Sequence, residues 1–160
     1  MIARLWGRFV ALLSGHPVVP HRASWTFAAK PVSIPRARRL TRAQLEAWGF
    51  DGQSEVAELL VTELTTNAMR HTRTTFRLSL SVEDGLLRCE VEDADPRLPF
   101  VRTARLDDER GRGLHLVDML ACCWGAEPAG PGKIVWFELP ALVLPALSPC
   151  RPALKAYEPS

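Results

Sequence analysis

Residues 58–72 read ELLVTELTTNAMRHT, and this stretch decides the fold. At about 100° per residue, with Glu63 set at zero, Val56 falls near +20°, Leu60 near +60°, Leu64 near +100° and Leu59 near −40°. These four predict the buried face of a helix running from about Gln53 to His71. On the same scale Asn67 falls near +40° and His71 near +80°, within the apolar arc. Glu63, Asn67 and His71 therefore form a polar row on a face meant for the core. A buried carboxylate without a partner costs several kcal/mol. The row asks for a ligand, a metal or an internal ion pair. The competing account is a capped helix end with Glu63 paired to Arg70 or Arg73.

Immediately downstream the period changes from helical to two. In TFRLSLSV, Phe76, Leu78, Leu80 and Val82 share one face, and Arg77, Ser79 and Ser81 the other. Asp84-Gly85 is a tight-turn signal. LLRCEVED repeats the alternation, with Leu87, Cys89 and Val91 inward, so residues 75–93 predict an antiparallel hairpin. The next inward position after Val91 is Asp93. A carboxylate closing a buried row can accept hydrogen bonds from an exocyclic amine of a base; a turn-forming Asp in D-A-D-P is the alternative.

Residues 94–112 lose all periodicity. They hold Pro96, Pro99 and the run DDER, and they lead into GRGLHLV. Long loops in compact domains are usually functional or disordered. Gly111 and Gly113 bracket Arg112 just before a helix expected from Leu114, with Val117, Leu120 and Trp124 on one stripe. Glycines beside a helix N-terminus suit an anion, and Arg110 and Arg112 add charge suited to phosphate oxygens. No G-K-[ST] follows, so this is not a Walker A loop.

Further out, Ser24–Ala28 predicts a short strand. A helix is expected from Ser33, as N-cap, to a stop at Gly49, with Leu40, Leu45 and Trp48 apolar. KIVWFEL, residues 133–139, predicts the last strand. Residues 1–23 are expected to be a flexible extension, 24–140 the domain, and 141–160 a Pro/Ala/Leu-rich tail.

Composition agrees with one ordinary globular domain. The chain has 160 residues, 47% hydrophobic and 24% charged, with a net charge of +2. No apolar run reaches the roughly 18 residues of a membrane span, and no membrane partner is expected. The short apolar run Phe9–Leu13 lacks a following A-x-A cleavage site. Cys89, Cys122, Cys123 and Cys150 form no spaced metal-ligand set, and reduced thiols in a cytoplasm are expected. Residues 1–50 hold eight Lys/Arg against Glu46 alone. The dense part, Arg36, Arg38, Arg39 and Arg42, is expected to be a solvated surface rather than a nucleic-acid contact.

Taken together, ELLVTELTTNAMRHT, VEDADPRLP, GRGLHLVDMLACCWG and PGKIVWFEL resemble the ATP-binding fold shared by DNA gyrase, Hsp90, histidine kinases and MutL. More closely they resemble its anti-sigma-factor serine/threonine kinase branch and the small regulatory ATP-binding proteins of actinobacteria. The resemblance covers about residues 24–140. It implies an α/β sandwich of the Bergerat type: a mixed, mostly antiparallel sheet with helices on one face.

The resemblance also implies roles. Asn67 would bind the Mg2+ bridging the ATP phosphates, Glu63 would be the general base, and Asp93 would accept the adenine amino group. Arg110, Gly111, Arg112, Gly113 and Leu114 would cradle phosphates, with residues 96–110 as the ATP lid. Arg70, His71 and Lys133 would complete the nucleotide site. The implied partners are a small anti-sigma antagonist-type protein, a sigma factor and a second copy of the chain. The same motifs also fit a non-catalytic, ATP-dependent sequestering regulator.

Two positions depart from the wider pattern. Asp95 stands where that pattern has Gly in Asp-x-Gly, and Gly132-Lys133 stands where the last strand usually opens with Gly-Thr. Asp95 is expected to crowd the adenine, and Lys133 to exchange a hydroxyl contact for a charged one.

Overall fold

The computed structural model describes residues 21–99 and 112–141. In chain order these form β1 (His21–Ala28), α1 (Ser33–Ala47), a 3-10 turn (Asp51–Gln53), α2 (Ser54–His71), β2 (Thr75–Glu83), β3 (Leu86–Asp93), α3 (Arg112–Leu120), β4 (Cys123–Ala129) and β5 (Gly132–Pro140). The strands make one sheet in the order β1-β2-β3-β5-β4. Every pairing among the described residues is antiparallel, in line with the mostly antiparallel sheet expected.

The hairpin forms as its alternation requires. Phe76, Leu78, Leu80 and Val82 on β2 and Leu87, Cys89 and Val91 on β3 are buried. Glu83 pairs with Leu86, so Asp84 and Gly85 are the whole turn, both at positive φ, as a type I′ turn demands. Val135, Phe137 and Leu139 continue the inner face on β5. Burial pushes the Cys89 thiol pKa far above its ordinary value, so it is an inert core atom.

The outer face of the sheet is charged. Arg77 pairs with Glu92, and Arg88 bridges Glu90 and Glu138 while stacking on the Trp136 ring. The helices pack on the inner face, and α2 lies against β2, β3 and β5. Helix α1 ends in a Schellman motif: Gly49 at positive φ lets Phe50 N–H reach the Leu45 carbonyl at 2.8 Å. Buried Glu58 ties α2 to α1 through Arg42 and Arg38, and Arg36 lies over Phe27. Three arginines of the basic cluster therefore have partners within the chain.

Several expectations shift. Strand β1 starts at His21, three residues before the expected Ser24. Ser33 is the first residue of α1 rather than its N-cap; its hydroxyl donates to the Ala28 carbonyl at 2.7 Å. Strand β4 was not anticipated: α3 stops at Leu120, and Trp124 sits on the sheet instead of on a helix stripe. Its indole N–H reaches back to Asp118 at 2.9 Å. Leu120 is 41% exposed, while Val117 carries the α3 packing. Among the described residues no helix is long and apolar enough to cross a membrane.

Phe137 is fully buried on the strand between β3 and β4. Phe137→Ala is expected to lower unfolding free energy by about 3–5 kcal/mol in urea denaturation, because the vacated volume cannot fully collapse.

Candidate functional site

The buried residues of α2 are Ser54, Ala57, Glu58, Leu60, Val61, Leu64, Thr65 and Ala68. On the helical wheel their centre lies roughly 150° from Glu63, not on it. Leu59, expected inside, is 40% exposed. The Glu63–Asn67 row is thus the margin of the apolar face, where both side chains are half-buried. A half-buried polar margin can face a ligand without the desolvation cost of a fully buried one.

Across that margin stands the start of α3. A Cβ added at Gly113 would collide with the Glu63 carboxylate and come 3.4 Å from its Cδ. With glycine there, the Glu63 carboxylate lies against the first turn of α3, where free N–H groups and the positive dipole end favour negative charge. Among the described residues neither Arg70 nor Arg73 pairs with Glu63, which removes the capped-end account. Arg70 is exposed. Leu114 packs half-buried against the core. Arg112 opens α3. Arg110, Gly111 and most of the expected lid, residues 100–110, lie outside the described residues.

The second part of the site is built by strand register. Asp93 ends β3 directly opposite Lys133 on β5. A Cβ at Gly132 would collide with the Asp93 carbonyl and lie 2.8 Å from Ala94 Cα, so the chain there must be bare backbone. Lys133 has the inward parity of Val135, Phe137 and Leu139 and is 3% exposed. Its ammonium donates to Asp93 Oδ1 at 3.0 Å, to the Asp95 carbonyl at 3.1 Å and to Asp95 Oδ2 at 3.2 Å. Three donors meet three acceptors.

Asp93 Oδ1 also accepts the Asp95 N–H at 2.8 Å. Asp95 takes Arg97 Nε at 2.9 Å on Oδ1, and His71 Nδ1 stands 3.8 Å from its Oδ2. The last turn of α2 thereby touches the cluster. Burial pushes the Asp95 pKa up, but hydrogen bonds from Arg97 and Lys133 outweigh it and leave it at about 2.

Asp93 was legible from strand parity, whereas Lys133 stood out only as a departure from Gly-Thr at the start of the last strand. Asp95 was read only as an obstruction. Its burial could not be seen, because residue 95 lies past the strand end where period two stops. A lysine at an inward position was the available signal that a second carboxylate stood nearby. The eight residues from Glu63 to His71 place the two parts of the site about 12 Å apart along α2.

Residues 27–137 match the family model of the histidine kinase-like ATPase domain, and the chain belongs to this family of ATP-binding domains. The chain is also 38% identical over 84 residues to an uncharacterized protein of Streptomyces coelicolor, SCO4941. That alignment covers 49% of this chain and 79% of the relative.

Two outcomes follow from these contacts. The depressed Asp95 pKa adds stability that is fully present above the ordinary value of 3.8 and is lost as pH falls through about 2. Asp95→Asn is expected to flatten the loss of thermal stability between those pH values, followed by circular dichroism. Gly113→Ala should destabilise the wild type yet raise stability by up to about 1 kcal/mol in a Glu63→Ala background, where the clash is gone and only helix propensity remains. Denaturant titration of the four proteins checks this change of sign.

Proposed function

We propose that this chain is a Mg2+- and ATP-dependent serine/threonine protein kinase of the anti-sigma type, phosphorylating a small antagonist protein in a partner-switching circuit. The carrying observation is Glu63: a half-buried carboxylate, unpaired with Arg70 or Arg73, held against the first turn of α3. A base placed where the terminal phosphate would lie is what transfer to a hydroxyl requires. The resemblance of residues 58–72 and 111–125 to the anti-sigma kinase branch supports the choice of a protein hydroxyl as acceptor.

The nucleotide would lie along α2. Asp93, held by Lys133 through Oδ1, offers Oδ2 to the adenine amino group. The triphosphate would run toward the start of α3, and the span of about 12 Å along α2 suits an extended nucleoside triphosphate. Asn67, one turn from Glu63 on the same margin, offers a carboxamide oxygen, the hard donor that magnesium takes. Among the described residues no group of three His, Cys, Asp or Glu side chains could hold a metal by itself. This donor set fits a metal that arrives with the phosphates, where it would neutralise phosphate charge during transfer. The acceptor protein, a sigma factor, a second copy of the chain and a cytoplasmic setting complete the reading.

The test is a labelled-phosphate assay on the protein captured by the chain in the presence of Mg2+ and ATP, beside titration calorimetry. Asn67→Ala and Asp93→Ala are expected to lose binding. Glu63→Gln is expected to keep ATP affinity and to lose transfer by about 10²–10⁴. A wild type that never phosphorylates its captured partner, with Glu63→Gln still capturing it in an ATP-dependent way, would replace the kinase by the sequestering regulator.

A further inference from the structure

The two departures from the wider family pattern, Asp95 and Lys133, touch each other: Lys133 Nζ lies 3.2 Å from Asp95 Oδ2 and 3.1 Å from its carbonyl. Their separation in sequence hides this, because β5 returns beside β3 only after α3 and β4. We infer that Asp95 and Lys133 form one compensated exchange, in which Lys133 keeps Asp93 a pure hydrogen-bond acceptor and so makes the pocket select a purine carrying a 6-amino group over one carrying a 6-oxo group. The inference rests on the nucleotide reading of the site and adds the residue pair that sets its base preference.

The physical reason is charge. Asp93 and Asp95 are both buried, and both carboxylates accept from the one Lys133 ammonium, at 3.0 and 3.2 Å, which brings them together. Without a cation between them, two such groups cannot both stay ionised. The charged and titratable groups facing them are Lys133 from β5, Arg97 from the segment after β3, and His71 from the end of α2. Among the described residues only Lys133 touches Asp93. Arg97 serves Asp95 alone, with its side chain at 2.9 Å and its N–H at 3.3 Å.

Removal of the Lys133 ammonium would leave Asp95 with Arg97 as its cation and Asp93 with none among the described residues, and of two neighbouring buried carboxylates the one without a cation is the one to take up a proton. An ionised Asp93 accepts from a 6-amino group and repels a 6-oxo group. A protonated Asp93 donates to a 6-oxo oxygen and loses its preference. Lys133 itself spends its three protons within the cluster and acts as a positioning residue.

The experiment compares the affinities of ATP and ITP, which differ at the 6-position, for the full chain with Mg2+, by competition against a fluorescent nucleotide. Wild type is expected to favour ATP by at least about tenfold, the worth of one charge-assisted hydrogen bond. Lys133→Met should reduce the ratio to below about threefold, and adding Asp95→Asn should restore most of it, because a lone carboxylate no longer shares a proton. A purely structural lysine would weaken both nucleotides alike and leave the ratio unchanged; that result overturns the inference while leaving ATP binding intact. If Lys133→Met does not fold, the wild-type ratio still decides, since equal affinity for ATP and ITP overturns the inference. A wild type that binds neither nucleotide overturns the nucleotide reading, and the inference falls with it.

Discussion

A lysine ammonium buried between two aspartates is the constraint around which this domain is organised. Removing one partner from such a group costs roughly 3–5 kcal/mol, because the remaining charge is left in a low-dielectric interior. The sequence meets this demand with backbone as well as side chains. Gly132 strips β5 bare where it crosses Asp93, and the antiparallel register then sets Lys133 opposite Asp93. The chain leaving β3 folds back so that both the carbonyl and the carboxylate of Asp95 reach the same ammonium. The cluster closes the inner face of the sheet with fixed charge where the hydrophobic core ends.

Helix α2 connects that cluster to the start of α3. Its apolar side packs on β2, β3 and β5, and buried Glu58 anchors it to α1. Its margin carries Glu63 and Asn67, and its last residue, His71, stands beside Asp95. One rigid element thus sets the distance between an acceptor-bearing strand end and a helix N-terminus, which is what an elongated anionic ligand with a polar head requires. The shallow depression lined by Ser81, Glu83, Asp84, Leu86, Arg88 and Glu138 lies at the hairpin turn, the opposite end of β3 from Asp93. It takes no part in this arrangement.

The hairpin, the inward course of Asp93 and the existence of α2 were all legible in the sequence, because one buried face imposes period two on strands and 3.6 on helices. The legible part ended where periodicity ended. Strand β4, with Gly125 beneath the Trp136 ring and Pro128 near its end, carries no alternating apolar pattern and was hidden behind an expected helix stripe. The exact face of α2 was misjudged because Leu59, apolar yet 40% exposed, pulled the apparent centre toward Glu63. The Lys133–Asp95 contact joins residues 38 apart in sequence across a sheet order that local patterns do not encode. For that reason it read as two separate anomalies.

The proposed function requires a nucleotide along the margin of α2, between the Asp93 cluster and the start of α3. Backbone amide shifts of the isotope-labelled chain, followed by NMR as Mg·ATP is added, test it most directly. The largest changes are expected on Glu63, Asn67, Asp93, Asp95, Gly113 and Lys133, while Arg77, Arg88 and Trp136 on the outer face stay still. Shifts centred on the outer face, or none at millimolar nucleotide, would contradict it.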